Sequence, residues 1–249
     1  MPDTARPLRI LVTNDDGIDA PTLLVLVKTA VKFGEVTVAA PAAQCSAMSQ
    51  RLTLFEEIAA DEVDYPVPGI RAFRITGTPT DCVKLAVLEL MPEPPDIVFS
   101  GMNAGYNTGF DIAYSGTVGA CKEAVMMGLR AAAFSTDHRG SGEVPEAYLE
   151  EMVRECLARP LPRGEFWNVN FPGCPLADFK GILWDAPIAP CPLFADDFTH
   201  LSAPGEPRRF KAHGRAIKPE EAPEGTDVWA VLNGYISVGT VRSEVMPEQ

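Results

Sequence analysis

Residues 8–17, LRILVTNDDG, decide how this chain is read. Leu8, Ile10, Leu11, Val12 and Thr13 form a short, nearly continuous apolar or β-branched run. That pattern suits a strand covered on both faces in a parallel sheet. Asn14, Asp15, Asp16 and Gly17 follow without a spacer. Neighbouring carboxylates in a regular strand point to opposite faces, so both serve one site only if the strand has ended. Gly17 helps the chain turn there. Acids just past the carboxyl end of a strand occupy the ligand crevice of an open α/β sheet. Two of them repel each other unless a cation lies between, and Mg²⁺ or a similar hard ion is the natural guest. Taken alone, the pair also reads as a solvated acidic turn capping the next helix.

Working outward, residues 20–33 (APTLLVLVKTAVKF) read as a helix, with Asp19 as candidate N-cap and Gly34 as stop. Residues 35–39 (EVTVA) make a second strand, so a right-handed βαβ unit opens the chain. The small, polar stretch 41–51 (PAAQCSAMSQR) then falls at the same rim as Asp15 and Asp16. Residues 52–58 and 70–75 read as strands that pair with each other across the link 60–69. The run TGTPTD at 76–81 opens a helix to about Leu90, with Thr78 or Thr80 as cap and Pro79 in the first turn. Further along come a buried strand at 96–99, a Gly/Asn-rich loop at 100–115, a helix at 116–127, a strand at 130–135 and an amphipathic helix at 144–157. From Arg159 onward Pro and Gly become dense, and strand-like runs appear at 166–171, 179–184 and 228–241. The expectation is an α/β core over residues 1–158. Residues 159–249 are expected to complete the sheet and add a β-rich extension for assembly, with the role of 190–225 open.

With 249 residues, 46% of them hydrophobic, the chain is long enough for one large α/β domain with a real core. Its net charge of −13 repels polyanions and argues against binding nucleic-acid polymers or anionic membranes. A small anionic substrate stays possible where a metal ion and backbone N–H groups supply local positive potential. The six cysteines show no CxxC pair and no zinc-ligand spacing, which predicts reduced thiols and a cytoplasmic protein. The start MPDTARPLRI lacks the apolar segment of a signal peptide, and no run is long enough to span a membrane.

The second informative stretch is 96–123, DIVFSGMNAGYNTGFDIAYSGTVGACKE. A strand, a Gly/Asn/Ser loop and then Ser115-Gly116-Thr117 opening a helix is how backbone N–H groups come to face a phosphate. Neither GxGxxG after the first strand nor GxxxxGK[ST] occurs, which weakens dinucleotide and P-loop readings. Asn103 and Asn107 offer neutral amide oxygens to a hard-metal site. Ser115 and Thr117 either bond a phosphate or cap the helix, and capping is the commoner role. His138, His200 and His213 share no metal-ligand spacing and read as surface residues. No GxSxG elbow anchors a serine hydrolase. Tyr106, Phe110 and Tyr114 flank the loop as core residues or as a surface for stacking a base.

Assembled, these residues resemble the SurE family of survival-protein nucleotidases and phosphatases. The resemblance rests on LVTNDDG (11–17), QCSAMS (44–49), TGTPTDCV (76–83), SGMNAGYN (100–107) and YSGTVGA (114–120). NVNFP (168–172) and the Gly-Tyr of NGYIS (233–237) extend it. It implies a Rossmann-like three-layer α/β/α core with a C-terminal β-rich extension used in a homodimer or homotetramer. It further implies a phosphomonoesterase that dephosphorylates nucleoside monophosphates, with side activity on other phosphoesters or polyphosphate, and one Mg²⁺ or Mn²⁺ per subunit. Asp15, Asp16, Ser46 and Asn103 would be the metal ligands. Asn14, Asn103, Asn107, Ser115, Gly116 and Thr117 would bind substrate. The loop after the second strand departs from the family pattern PDRxQSG. Here it is PAAQCSAM: alanines precede Ser46 in place of the acidic and basic residues, and Ala47 replaces the glycine.

In the mechanism this implies, Asp15 or Asp16 accepts a proton as water attacks phosphorus, with an aspartyl-phosphate intermediate as the rival route. Two other classes remain open. A receiver-like signalling domain also places an acidic pair after its first strand, although DIVFS ends in Ser-Gly where a phospho-accepting Asp would stand. A catalytically degenerate nucleotide- or metal-binding protein is suggested by the altered 41–48 loop.

Overall fold

The structure, a computed structural model, describes residues 6–203 and 205–246. Strand β1 (Leu8–Thr13) lies near the middle of a nine-stranded sheet, between β2 (Gly34–Pro41) and β5 (Ile97–Ala104). The remaining strands are β3 (Ala60–Glu62), β4 (Arg71–Ile75), β6 (Arg130–Thr136), β7 (Glu165–Phe171), β8 (Gly181–Trp184) and β11 (Tyr235–Arg242). The order is β3-β4-β2-β1-β5-β6-β7-β11-β8. The six strands from β4 to β7 run parallel, while β3 and β11 pair antiparallel to β4 and β7. From β1 the chain proceeds outward to β2 and later returns to β5 on the other side. The strand order therefore reverses between β1 and β5, and the crevice at their carboxyl ends is the topological switch point of this α/β sheet.

The continuous apolar run in β1 is explained by cover on both faces. Ile10 and Val12 face α1 (Pro21–Ala30) and α4 (Glu143–Ala158), in a core shared with Leu23, Leu26, Leu149 and Met152. Leu11 faces α2 (Pro79–Leu85) and α3 (Gly116–Met126), with Val83, Val118 and Cys121. These are the three layers of a Rossmann-like α/β fold.

Local details correct several expectations. Helix α1 starts with Pro21 behind Ala20, with no side-chain cap; Asp19 is exposed and pairs with Arg74, and Gly34 opens β2. Residues 52–58 form no strand: β4 pairs with β3 instead and lies parallel to β2. Residues 100–104 belong to β5 and not to the loop. The 228–241 run divides into α5 (Asp227–Leu232) and β11. Thr78 is the cap of α2, in a capping box with Asp81, and a π turn carries the helix to Leu90.

Residues 190–225 contribute the hairpin β9 (Phe194–His200) and β10 (Phe210–Ala216), which stands outside the main sheet. The segment leading into it also braces the Gly/Asn loop. Buried Asp227 accepts N–H groups from Gly109 (2.9 Å), Ala189 (2.8 Å) and Val228 (2.7 Å), while Asp111 accepts from Leu193 (3.0 Å). Asp227→Ala strands three buried donors at once, so it is expected to lower stability by about 3 kcal/mol in a urea titration. A loss within error of zero would mean that water replaces the carboxylate.

Candidate metal and phosphate site

The turn after β1 is built by Asn14. Its Nδ2 donates to the Gly17 carbonyl (3.0 Å) and its Oδ1 accepts the Gly17 N–H (3.2 Å). Gly17 takes φ +99°, and Ile18 N–H then bonds the Pro41 carbonyl at the end of β2. Buried Asn14, expected to touch substrate, thus uses both ends of its amide to form the turn. The turn presents Asp15 and Asp16 together at the switch point.

Asp15 is buried, and its Oδ1 accepts the Thr117 hydroxyl at 2.6 Å. Its backbone carbonyl accepts the Cys45 N–H at 2.7 Å, which ties the 42–48 loop to the acidic turn. Asp16 is partly exposed; its Oδ2 accepts the Ala104 N–H at 2.9 Å, and Gln44 Nε2 lies 3.4 Å from its Oδ1. Asn103 donates through Nδ2 to the Gly105 carbonyl (2.8 Å), so its Oδ1 remains available as an acceptor. Gly116 packs directly on Asp15: a Cβ there would lie 2.9 Å from Asp15 Cβ and 3.0 Å from its Oδ2. Asp15, Asp16, Asn103 and Gly116, distant in sequence, converge at one rim.

Ser115 caps α3, its Oγ accepting the Val118 N–H at 3.0 Å, so the common capping role holds for that hydroxyl. The Thr117 hydroxyl serves Asp15 instead. What the first turn of α3 offers an anion is its backbone, beginning with the Gly116 N–H, together with the dipole of an eleven-residue helix. Ser46 is exposed in a loop held on both sides, by Cys45 on Asp15 and by Ser49, whose N–H and Oγ bond the carbonyls of Tyr114 (2.9 Å) and Ala113 (2.8 Å). Ala47, where the family pattern has glycine, takes φ +56°, a region glycine enters freely and alanine does not.

Asn107 is a brace. Its N–H donates to Asn170 Oδ1 (2.8 Å), its Nδ2 to Ser135 Oγ (2.7 Å), and its carbonyl accepts from Asn168 Nδ2 (2.9 Å) and Asn170 Nδ2 (3.2 Å). Asn168, Asn170 and Asp227 were not singled out by residue-level reasoning, although the motif NVNFP contains the first two. The histidines stay away from the site: His200 meets Phe210 edge to face and His213 approaches Asp197 in the hairpin, while half-exposed His138 lies beside Asp137.

Burial is the main force raising the Asp15 carboxyl, to about 6, and the Asp16 charge adds to it. The Thr117 hydroxyl and backbone amides work in the opposite direction. No basic side chain is among the groups acting on it. A buried carboxylate without a cationic partner is costly, and a bound cation would remove that cost. Among the described residues no cluster of three or more His, Cys, Asp or Glu is poised to hold a metal. The available donors are two carboxylates and neutral oxygens, which suits a hard divalent ion and not zinc. Thr117→Val keeps the side-chain shape and removes the donor, so the Asp15 carboxyl should rise further. Calorimetry near pH 6 should then show divalent-cation affinity reduced about tenfold, with the deficit shrinking toward pH 8 as Asp15 ionises in both proteins. An equal deficit at both pH values would assign the loss to displaced geometry.

An acidic pair and a helix start meeting at the switch point of a Rossmann-like sheet define an α/β protein with its candidate site at the carboxyl ends of the parallel strands. Residues 10–188 match the family described as Survival protein SurE, and the chain belongs to that family. It is 44% identical over 236 residues to a 5′-nucleotidase SurE of Geobacter sulfurreducens, covering 93% of this chain and 86% of that one. A 5′-nucleotidase SurE of Flavobacterium johnsoniae is 36% identical over 243 residues, covering 96% and 92%. The crystal structure of a SurE protein from Aquifex aeolicus superposes with a TM-score of 0.80 at 30% identity, covering 96% of this chain and 94% of that one.

Proposed function

We propose that this chain is a divalent-metal-dependent phosphomonoesterase that converts nucleoside monophosphates to nucleoside and phosphate, a 5′-nucleotidase. The observation carrying this reading is buried Asp15, raised by burial with no basic side chain among the groups acting on it, beside Asp16 and against the first turn of α3. Relatives named as 5′-nucleotidases, matched over most of their length, supply the substrate class.

Asp15 and Asp16, with Asn103 Oδ1 and the Ser46 hydroxyl, would hold one Mg²⁺ or Mn²⁺. When bound, that ion supplies charge neutralisation of the phosphate and activation of water. The chain's own groups do the rest. The Thr117 hydroxyl and the Ala104 N–H fix the two carboxylates, so neither must reorganise during reaction. The Gly116 N–H and the α3 dipole stabilise charge on the non-bridging oxygens. One aspartate of the pair takes the proton as water attacks phosphorus in line. Rapid quench with labelled substrate separates this from an aspartyl-phosphate route, since phosphate trapped on protein would sink direct attack.

The β9–β10 hairpin supports assembly into a homodimer or homotetramer. Its register places Phe194, Phe198 and Phe210 on one face, with Lys211, His213 and Arg215 on the other, and the three phenylalanines are exposed. In this reading residues 159–249 complete the sheet of the 1–158 core and supply the assembly arm. Among the described residues no helix is long and apolar enough to cross a membrane, and a cytoplasmic enzyme acting on small phosphoesters, not on nucleic-acid polymers, is the corresponding reading.

Phosphate release from a panel of 5′- and 3′-nucleoside monophosphates and polyphosphate, with Mg²⁺, Mn²⁺ or EDTA, tests the proposal. Metal-dependent release from the 5′-monophosphates is expected. A folded, metal-binding protein that releases nothing would leave a degenerate binding protein.

A further inference from the structure

A cavity of about 370 Å³ lies at the opposite end of the sheet from the acidic pair. It sits beside the amino ends of β5, β6 and β7, marked by Ile97, Arg130 and Glu165, beneath the segment joining α4 to β7. Its size falls within the range of about 300–1,000 Å³ typical of small-molecule pockets. Part of its wall is apolar, from Ile97, Leu157 and Trp167, and part is cationic, from Arg130, Arg159 and Arg163. Glu165 is the single carboxylate among the lining residues. In a chain of net charge −13 this is a local excess of positive charge.

One of these side chains is prepared for an acceptor. Arg130 is anchored by one nitrogen: its Nη2 donates to the carbonyls of Cys156 (2.8 Å) and Leu157 (2.9 Å) at the end of α4. The guanidinium carries five donors in a rigid fork, so anchoring one nitrogen orients the others in advance. Trp167 is 6% exposed, and its indole Nε1 is buried without a hydrogen-bond partner. That nitrogen presents no surface to the cavity, so Trp167 contributes to the apolar wall. Arg159 is already matched, bonding Glu155 and lying over the Trp184 ring, whereas Arg163 makes no ion pair among the described residues.

We propose that this cavity binds a small organic monoanion: a carboxylate carried on a compact apolar body. The carboxylate matches the planar guanidinium fork, and the apolar body meets the wall that includes Trp167. Glu165 disfavours a dianion, which selects a carboxylate over a phosphate monoester and separates this site chemically from the acidic pair across the sheet.

Benzoate titrated into the full chain, followed by calorimetry and tryptophan fluorescence, tests the assignment. Saturable binding of one benzoate per chain is expected, unchanged in Asp16→Asn and not displaced by inorganic phosphate. Arg163→Glu, at an exposed position, should weaken binding about tenfold, the equivalent of one charge-assisted hydrogen bond. Leu157→Ala strips part of the apolar wall and should weaken binding severalfold, with an unchanged circular dichroism spectrum for both variants. The proposal is overturned if no saturable binding occurs, if both cavity variants bind like the parent, if phosphate displaces benzoate, or if Asp16→Asn abolishes binding.

Discussion

Asp15→Asn is expected to abolish phosphate release and, at the same time, to stabilise the metal-free protein at pH 7 to 8. On the proposed function, the activity loss follows from removing one of the two carboxylates that would hold the cation, and with it several kcal/mol of transition-state stabilisation, about 10³-fold or more in kcat. The stability gain follows from burial. The Asp15 carboxyl is raised from 3.8 to about 6 in the folded chain. A carboxyl raised in this way favours folding below about 4, where it is protonated in both states, and that contribution is lost as pH rises through about 6. Above that pH the buried charge costs about 3 kcal/mol, from roughly two pKa units at 1.36 kcal/mol each. Asparagine keeps an oxygen for the Thr117 hydroxyl and carries no charge. Urea unfolding in EDTA from pH 5 to 8 should show the variant gaining on the parent as pH rises, while Mg²⁺ or Mn²⁺ stabilises only the parent. A variant less stable than the parent at pH 8 would mean that another group already compensates the Asp15 charge. Asp16→Asn, at a partly exposed position, should lose comparable activity without the stability gain.

Gly116→Ala should separate activity from folding in the opposite way. The added methyl would lie 2.9 Å from Asp15 Cβ, 3.0 Å from its Oδ2 and 3.2 Å from the Cys45 carbonyl. Real contacts are longer, so Asp15 or the 42–48 loop must shift by a few tenths of an ångström. Alanine is a better helix former than glycine at the start of α3, which offsets part of the strain, and the melting temperature should change little. Catalysis depends on that geometry, and a shift of this kind is expected to cost about 100-fold in kcat. Full activity in Gly116→Ala would show that the acidic pair tolerates movement and would weaken the geometric reading of the site.

Physical information in this chain is divided between local sequence and tertiary pairing. The acidic turn, the βαβ opening, the capped helix after TGTPTD and the helix start at Ser115 were legible because each depends on neighbours within a few residues. An apolar run of strand length, a Thr-Pro-Thr-Asp cap and a Ser-Gly-Thr helix start carry their own local chemistry. The strand assigned to 52–58 failed because composition cannot reveal a pairing partner. Residues 60–62 won that place beside β4, and the 51–53 segment is instead tied to α2 through the bonds of Thr53 to Asp81. The end of β5 reads as loop because glycine and asparagine mark turns, whereas pairing with β6 overrides that preference through Ala104.

The same division applies to the site. From sequence alone came the acidic pair, its place after β1 and the family. Those follow from residue types that keep their chemistry wherever the chain puts them. Only the tertiary structure divided the roles of the polar residues. Asn14 became a turn-former, Ser115 a cap, Thr117 the partner of Asp15 and Asn107 a brace to two strands, because a hydrogen-bonding group acquires its task from whichever donor or acceptor folding brings within about 3 Å. Burial likewise made Asp15 unlike Asp16, two adjacent and chemically identical residues. The charge of a carboxylate is written in the sequence, but the cost of that charge is set by the water that folding removes from around it.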